Sequence, residues 1–182
     1  MATSAQQQLV KYLTDAHAME AQSVKLLEKG AEIAGDEEIA RIYRAHLMQS
    51  SEHEEHILKR LQAHGETPSK VKDVAMKGGA LGVGGLALAA PDTPATLAVA
   101  AFAFENLEVA SYRLLRSLAE RADDPETASV VEQILEQEEA AAQLVAGTFD
   151  RALDVTLGES AVSPVTPVTP IGKPSDRPAE AQ

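Results

Sequence analysis

The chain has 182 residues and a formal net charge of −12 at pH 7. This length suggests one domain or at most two small ones, and the acidic balance argues against nucleic acid as a partner, since its binders usually present a basic face. Cysteine is absent, which excludes disulfides, thiol catalysis and thiolate metal sites, while abundant alanine, leucine, glutamate and glutamine favour helices.

The first two predicted helices form a hairpin. Between residues 4 and 34, apolar side chains recur at spacings of three, four and seven or eight, which predicts a long amphipathic helix. Gly35 is a suitable residue to end it. Asp36 then provides the N-cap of a second helix, which we expect to continue to residue 64.

Residues 65–92 are predicted to connect the two halves of the chain, with a short helix at 69–76. The apolar stretch at 78–91 is shorter than the roughly 20 residues that a membrane span needs. It is also rich in glycine, which favours a connector packed against the domain. Residues 1–13 lack the basic and apolar regions of a signal peptide. We therefore expect a cytoplasmic protein with no membrane partner.

A cap residue followed by proline begins each of the next two helices, predicted at residues 94–122 and 125–153. The two pairs are Thr93 with Pro94 and Asp124 with Pro125. The residues that follow are rich in proline, serine and threonine and have no helical period. They predict a folded domain over residues 1–154 and a disordered tail over 155–182. The composition of the tail does not identify a partner for it.

The two halves of the chain repeat each other at an offset of 88 residues. The segment MEAQSVKLL at residues 19–27 returns as LEVASYRLL at 107–115. Caps and core positions match at the same offset; the pairs include Asp36 with Asp124, Leu47 with Leu135 and Gln49 with Gln137. Two such hairpins joined by a long crossover form a ferritin-like four-helix bundle. We therefore predict an all-α, ferritin-like fold with a disordered C-terminal tail.

Each predicted long helix carries ionisable side chains on its apolar face, near its midpoint. Glutamates occupy these positions in the first, third and fourth helices and histidines in the second; they are Glu20, Glu105, Glu108, Glu138, His46 and His53. An unpaired ionised carboxylate in a bundle core costs several kcal/mol. A pair of divalent metal ions would neutralise such a group, as in bundle di-iron sites. Bound protons, ion pairs or a water-filled core are the alternatives.

Four segments, one in each predicted helix, resemble a known family in their order and spacing. They are YLTDAHAMEAQ, AHLMQSSEHEEH, FAFENLEVASYRLL and ILEQEEAAA. Over residues 8–150 the chain resembles the YciE/YciF-like family of ferritin-like stress proteins. The resemblance implies a ferritin-like bundle, often dimeric, with a di-metal centre and a link to stress responses, and we expect a homodimer.

By this resemblance, the polar core of the family corresponds to five positions here, which we predict to ligate two iron or manganese ions. They are Glu20, His53, Glu105, Glu108 and Glu138. Two positions depart from the family: Gln49 replaces its usual glutamate and Ala142 its usual aspartate. The Glu-x-x-His motif of bundle metal sites is also not intact, because the fourth helix has no histidine and Ser50 stands three residues before His53.

Three other polar residues near this face have structural interpretations. We interpret His46 as a buried histidine bonded to a carboxylate and Tyr112 as a core tyrosine. His17 is either a partner of a core glutamate or a residue at the core boundary.

Two hypotheses for function remain open. The first is a metal-binding, stress-related protein that acts on oxygen or peroxide as a di-iron oxidase or peroxidase. The second is a non-enzymatic, stress-associated interaction protein whose degenerate metal site is retained as a hydrogen-bonded polar core. The sequence identifies neither catalytic residues nor an organic cofactor.

Overall fold

The computed structural model describes residues 4–67 and 93–159, and these segments contain helices and no β-strand. In chain order the helices are α1 Ser4–Ile33, α2 Glu37–Ala63, α3 Pro94–Arg121, α4 Pro125–Ala146 and α5 Phe149–Leu157. Helix α1 packs with α2 and α3 packs with α4, while α1 also contacts α3 and α2 contacts α4. The prediction of an all-α bundle built from two helical hairpins is confirmed.

The predicted fourth helix does not run unbroken to residue 153, because α4 ends at Ala146 and α5 begins at Phe149. Gly147 weakens the helix at this point. The hydroxyl of buried Thr148 donates to the carbonyl of Val145 at 2.7 Å, and its own carbonyl accepts a bond from within α5. Competition of this kind between a side chain and the backbone is a common reason for a helix to stop.

Predictions for the connector and the tail lie mostly outside the described residues. The short helix at 69–76 and the packing of the apolar stretch at 78–91 fall there, as does most of the tail predicted over 155–182. Residues 155–157, predicted as the start of that tail, belong to α5 instead. Within residues 4–67 and 93–159, no helix combines the length and apolarity that crossing a membrane requires.

Equivalent cap clusters hold the N-termini of α2 and α4. Asp36 caps α2 by accepting two backbone N–H bonds at 2.9 and 3.1 Å, and Arg151 of α5 lies 2.8 Å from its carboxylate. Asp124 caps α4 by accepting the N–H of Thr127 at 3.0 Å, and Arg60 of α2 lies 3.2 Å from it. Each arginine comes from the opposite half of the chain, so each cap also ties the two halves together.

The core consists of two apolar regions. The first is formed by the N-terminal half of α1, the C-terminal halves of α2 and α3 and the N-terminal half of α4. The second is formed by the opposite halves of the same helices together with α5. On α1, α2 and α4, the buried glutamates and histidines lie in sequence between the residues of these two regions, and on α3 Glu105 and Glu108 lie between Ala101 and Tyr112. The polar residues therefore form a layer across the middle of the bundle.

We predict that Asp124→Ala lowers the free energy of unfolding by about 1–2 kcal/mol at pH 7, because α4 loses its cap and Arg60 loses one of its two carboxylate partners. Burial raises the pKa of Asp124, but hydrogen bonds from Thr127 and His64 and the charge of Arg60 outweigh burial and lower the pKa to about 2. This stabilisation is therefore present above the unfolded-state pKa of about 3.9 and is lost as the pH falls towards 2.

Urea denaturation of both proteins between pH 7 and pH 2 measures this effect. The difference between them should shrink across the acid range. Asp150→Ala, which changes an exposed aspartate in the first turn of α5, is the control and should change stability little. An Asp124→Ala deficit that stayed constant down to pH 2 would contradict the assignment.

Candidate metal centre

The five residues predicted as metal ligands all lie in the polar layer, and each is at most 2% exposed. Helix α1 supplies one of them, α2 one, α3 two and α4 one; they are Glu20, His53, Glu105, Glu108 and Glu138. They fall into two clusters, each with donor atoms that lie within 4.8 Å of one another. The helical periodicity thus placed all five on inner faces that meet.

The first cluster consists of Glu20, His53 and Glu138. The Nδ1 atom of His53 lies 2.8 Å from Oε1 of Glu138 and 3.6 Å from Oε1 of Glu20. The hydroxyl of the fully buried Tyr112 donates a hydrogen bond to Oε1 of Glu20. Tyr112 is therefore a core tyrosine, as interpreted from sequence, and it also holds one oxygen of a candidate ligand.

The second cluster consists of His46, Glu105, Glu108 and Glu138. The Nε2 atom of His46 lies 2.7 Å from Oε2 of Glu105 and 3.3 Å from Oε2 of Glu138. The interpretation of His46 as a buried histidine bonded to a carboxylate agrees with this contact. Its membership of a candidate metal cluster was missed, although its seven-residue spacing from His53 on one helix face was the available signal.

Glu138 belongs to both clusters. Its Oε1 atom faces His53 of the first cluster, and its Oε2 atom faces His46 of the second. A carboxylate that offers one oxygen to each of two neighbouring positions has the geometry of a bridging ligand between two metal ions.

Several buried donor atoms of these clusters have no hydrogen-bond partner within the described part of the chain. They are Oε2 of Glu20, Nδ1 of His53, Oε1 of Glu105, Oε1 of Glu108 and both carboxylate oxygens of Glu138. The His53–Glu138 contact at 2.8 Å is therefore close but not aligned as a hydrogen bond. Two ligands of one ion at about 2.1 Å stand roughly 3.0–3.4 Å apart, so these spacings are compatible with a shared cation.

The set of side chains also fits a di-metal site. Bundle di-iron proteins use a glutamate from each of two helices and a Glu-x-x-His motif from each of the other two, which gives four glutamates and two histidines. The two clusters contain four glutamates and two histidines as well. Their distribution differs, because Ser50 and Ala141 occupy the missing motif positions, while His46 and Glu105 supply an additional imidazole and carboxylate.

The two positions that depart from the family pattern lie outside both clusters of described residues. Ala142 is buried and offers no donor atom. Gln49 is half-buried, and its Oε1 atom contacts Nδ1 of His46 at 3.2 Å. The Gln49 side chain thus contacts the His46 ring at the nitrogen that does not face Glu105.

Two serines and a histidine complete the surroundings. Buried Ser23 donates a hydrogen bond to Oε2 of Glu108 at 3.4 Å and lies at the same distance from the hydroxyl of Ser50. His17 is half-buried and lies 3.5 Å from Glu54 on the outer side of α2. It is therefore a boundary residue and not a partner of a core glutamate.

The neighbouring carboxylates raise the pKa of both histidines. Burial lowers the pKa of His46, but Glu105 and Glu138 outweigh burial and raise the pKa to about 11. Burial also lowers the pKa of His53, but Glu138 and Glu20 outweigh burial and raise the pKa to about 10.

The four carboxylates divide into two kinds. Burial raises the pKa of Glu138, but the two histidines outweigh burial and lower the pKa to about 2. Burial raises the pKa of Glu105 to about 7 despite the bond from His46. The pKa values of Glu20 and Glu108 are also raised, in both cases chiefly by burial. The two histidines thus favour the ionised form of Glu138, whereas burial favours the protonated forms of Glu20, Glu105 and Glu108.

The comparisons identify the family of the chain. Residues 4–156 match the family described as "Domain of unknown function (DUF892)", and the chain belongs to this family. Among curated proteins, none matches the chain.

Solved structures agree with this assignment. A protein from Xanthomonas campestris pv. campestris is 25% identical, with a TM-score of 0.68 over 86% of this chain and 97% of its own. The E. coli stress protein YciF is also 25% identical, with a TM-score of 0.63 over 87% of this chain and 100% of its own. The resemblance to the YciE/YciF-like family is thereby confirmed.

A third structure confirms the fold class. A two-domain protein from Anabaena variabilis, with DJ-1/ThiJ/PfpI-like and ferritin-like domains, has a TM-score of 0.63. It is 19% identical over 90% of this chain, which spans 41% of that protein. The bundle is therefore ferritin-like, and its buried histidine and glutamate clusters are compatible with metal binding.

We predict that Glu138→Gln lowers the free energy of unfolding of the chelator-treated protein by about 3 kcal/mol, since His46 and His53 lose the carboxylate between them. The same change should lower the pKa of both histidines, as measured by NMR titration. Glu136→Gln removes an exposed charge from the same helix and is the control. Unchanged histidine titrations would show that Glu138 does not lie between the two rings.

Proposed function

We propose that this chain binds two iron or manganese ions between its four long helices and acts with them on oxygen or peroxide, as an oxidase or a peroxidase. The position of Glu138 between two clusters of donor atoms supports the proposal most strongly. The orphaned carboxylate oxygens add to it, because a buried acceptor without a partner costs about 1–3 kcal/mol, and a cation would remove that cost.

The residues would divide the ligation between two subsites. One ion would be held by Glu20 and His53. The other ion would be held by His46, Glu105 and Glu108, and Glu138 would bind both. A redox-active pair of metal ions bound there would supply the electrons that reduce oxygen or peroxide. The carboxylates favour the higher oxidation state of an ion through their charge, and the Tyr112 hydroxyl fixes the orientation of Glu20. Complete burial keeps bulk water away from the ligands.

A second function is favoured by the charge balance of the metal-free centre. The raised pKa values of His46 and His53 and the lowered pKa of Glu138 allow the core to be neutralised by protons and ion pairs alone. In that case the protein would be a non-enzymatic interaction protein whose polar layer fixes the register of the helices, a role known for buried polar groups in other bundles.

A role in stress, a homodimeric assembly and a cytoplasmic location belong to the proposal as well. The role in stress is supported by the similarity to a protein described as an E. coli stress protein. Sedimentation of the purified chain tests the proposed dimer.

We predict that the protein, purified without a metal-binding tag and reconstituted with Fe(II) or Mn(II), retains about two ions per chain, because six ligand residues surround two positions. Inductively coupled plasma mass spectrometry gives the ratio. The double variant Glu20→Ala with Glu108→Ala should lose both ions, since each subsite then lacks a carboxylate.

The matched control for this experiment is the double variant Glu28→Ala with Glu136→Ala, which removes two exposed glutamates. It should retain the wild-type metal content. Consumption of oxygen or peroxide by the Fe(II)-loaded protein then tests the reaction. A correctly folded wild-type protein that retained no metal would exclude the proposed chemistry and support the interaction protein.

A further inference from the structure

Both histidines of the metal centre have a glutamine behind the ring. The Oε1 atom of Gln137 lies 2.8 Å from Nε2 of His53, on the side of the ring opposite to Glu138. The Oε1 atom of Gln49 lies 3.2 Å from Nδ1 of His46, whose Nε2 atom faces Glu105. Each ring therefore has an inner nitrogen towards the carboxylates and an outer nitrogen towards a glutamine oxygen.

A carbonyl oxygen next to one ring nitrogen favours the tautomer that carries its proton on that nitrogen. An amide oxygen accepts a hydrogen bond and cannot donate one, so it is satisfied only when the outer nitrogen is protonated. In a neutral imidazole the inner nitrogen then has the free lone pair that a metal ion needs. Partners of this kind fix the orientation and the tautomer of histidine ligands in many metal sites.

We propose that Gln49 and Gln137 are positioning residues that keep the proton on the outer nitrogen of each histidine and present the inner nitrogen to a metal ion. This inference rests on the proposed metal-binding function. It assigns opposite tautomers to the two rings, because the inner nitrogen is Nε2 in His46 and Nδ1 in His53. Neither glutamine acts as a ligand.

The duplication of the chain supports a shared role for the two glutamines. Gln49 and Gln137 occupy equivalent positions at the 88-residue offset, yet they reach their histidines differently. Gln49 contacts a ring three residues earlier on its own helix, whereas Gln137 reaches from α4 to α2. Two different routes to the same type of contact are not expected from helical geometry alone.

The neutral amide also suits the charge of this centre. Four glutamates already surround the two clusters. A fifth or sixth carboxylate behind the rings would raise the repulsion among them, whereas a glutamine accepts the same hydrogen bond without a charge. Gln49, which replaces the glutamate usual in the family, thus serves as an outer hydrogen-bond acceptor and not as a weakened metal ligand.

Zinc, which is redox-inert, is the probe for the test. We would load the full-length, 15N-histidine-labelled protein with Zn(II), assign the nitrogen resonances of His46 and His53, and measure zinc affinity by chelator competition. We expect metal on Nε2 of His46 with a proton on Nδ1, and metal on Nδ1 of His53 with a proton on Nε2.

The variants separate a positioning role from a structural one. Gln49→Leu and Gln137→Leu remove the acceptor and should each weaken zinc binding about 10- to 100-fold, with faster exchange of the outer ring proton. Gln49→Glu and Gln137→Glu keep an acceptor at the same reach, so they should retain both tautomers and weaken zinc binding less than the leucine variants do. Gln62→Leu and Gln133→Leu change exposed glutamines of the same two helices and are the controls.

The outcomes distinguish this inference from the function on which it rests. Two results would overturn the inference and leave the metal site in place. One is zinc binding to the wild-type protein with a deprotonated outer nitrogen, and the other is an unchanged zinc affinity in both leucine variants. A folded wild-type protein that bound no zinc, iron or manganese would overturn the proposed function and the positioning role with it.

Discussion

The rest of the structure depends on the burial of four carboxyl groups at one level of a helical bundle. Glu20, Glu105, Glu108 and Glu138 have no measurable exposure, and burying an ionised carboxylate in a medium of low polarity is costly. Burial therefore raises the pKa of Glu20, Glu105 and Glu108, whereas His46 and His53 lower the pKa of Glu138. The orphaned oxygens show that the compensation for burial within the described residues is incomplete.

Two apolar regions and the two equivalent cap clusters stabilise the bundle against the cost of burying these carboxyl groups. The apolar regions are formed by opposite halves of the same helices, so they confine the polar layer to the centre. The caps at Asp36 and Asp124 each receive an arginine from the opposite half of the chain, which fixes how the two halves meet. A preorganised donor set of this kind is what a metal site needs, because ligands that are already ordered lose little entropy on binding.

The sequence revealed the bundle and most of the centre because both follow from periodicity. Residues at helical spacing share one face, so Glu20, Glu108 and Glu138 could be assigned to the interior without coordinates. Proline and cap residues likewise marked where α3 and α4 begin. The break after Ala146 was missed because the helical pattern continues through Gly147, although Gly147 and the hydroxyl of Thr148 were local signals for an interruption.

Other features depend on distances across the bundle and could not be read from a single helix. His46 belongs to the second cluster because it contacts Glu105 and Glu138, which lie on other helices. The contact of Gln137 likewise joins α4 to α2. The sequence lacks an intact Glu-x-x-His motif, whereas the structure has the same four glutamates and two histidines in a different distribution.

The most direct test of the account is anomalous X-ray diffraction from crystals of the manganese-loaded protein. The account predicts two peaks inside the bundle, one on each side of the Glu138 carboxylate, with His53 at one and His46 at the other. Occupied manganese sites confined to surface carboxylates, with an ordered but peak-free centre, would contradict it.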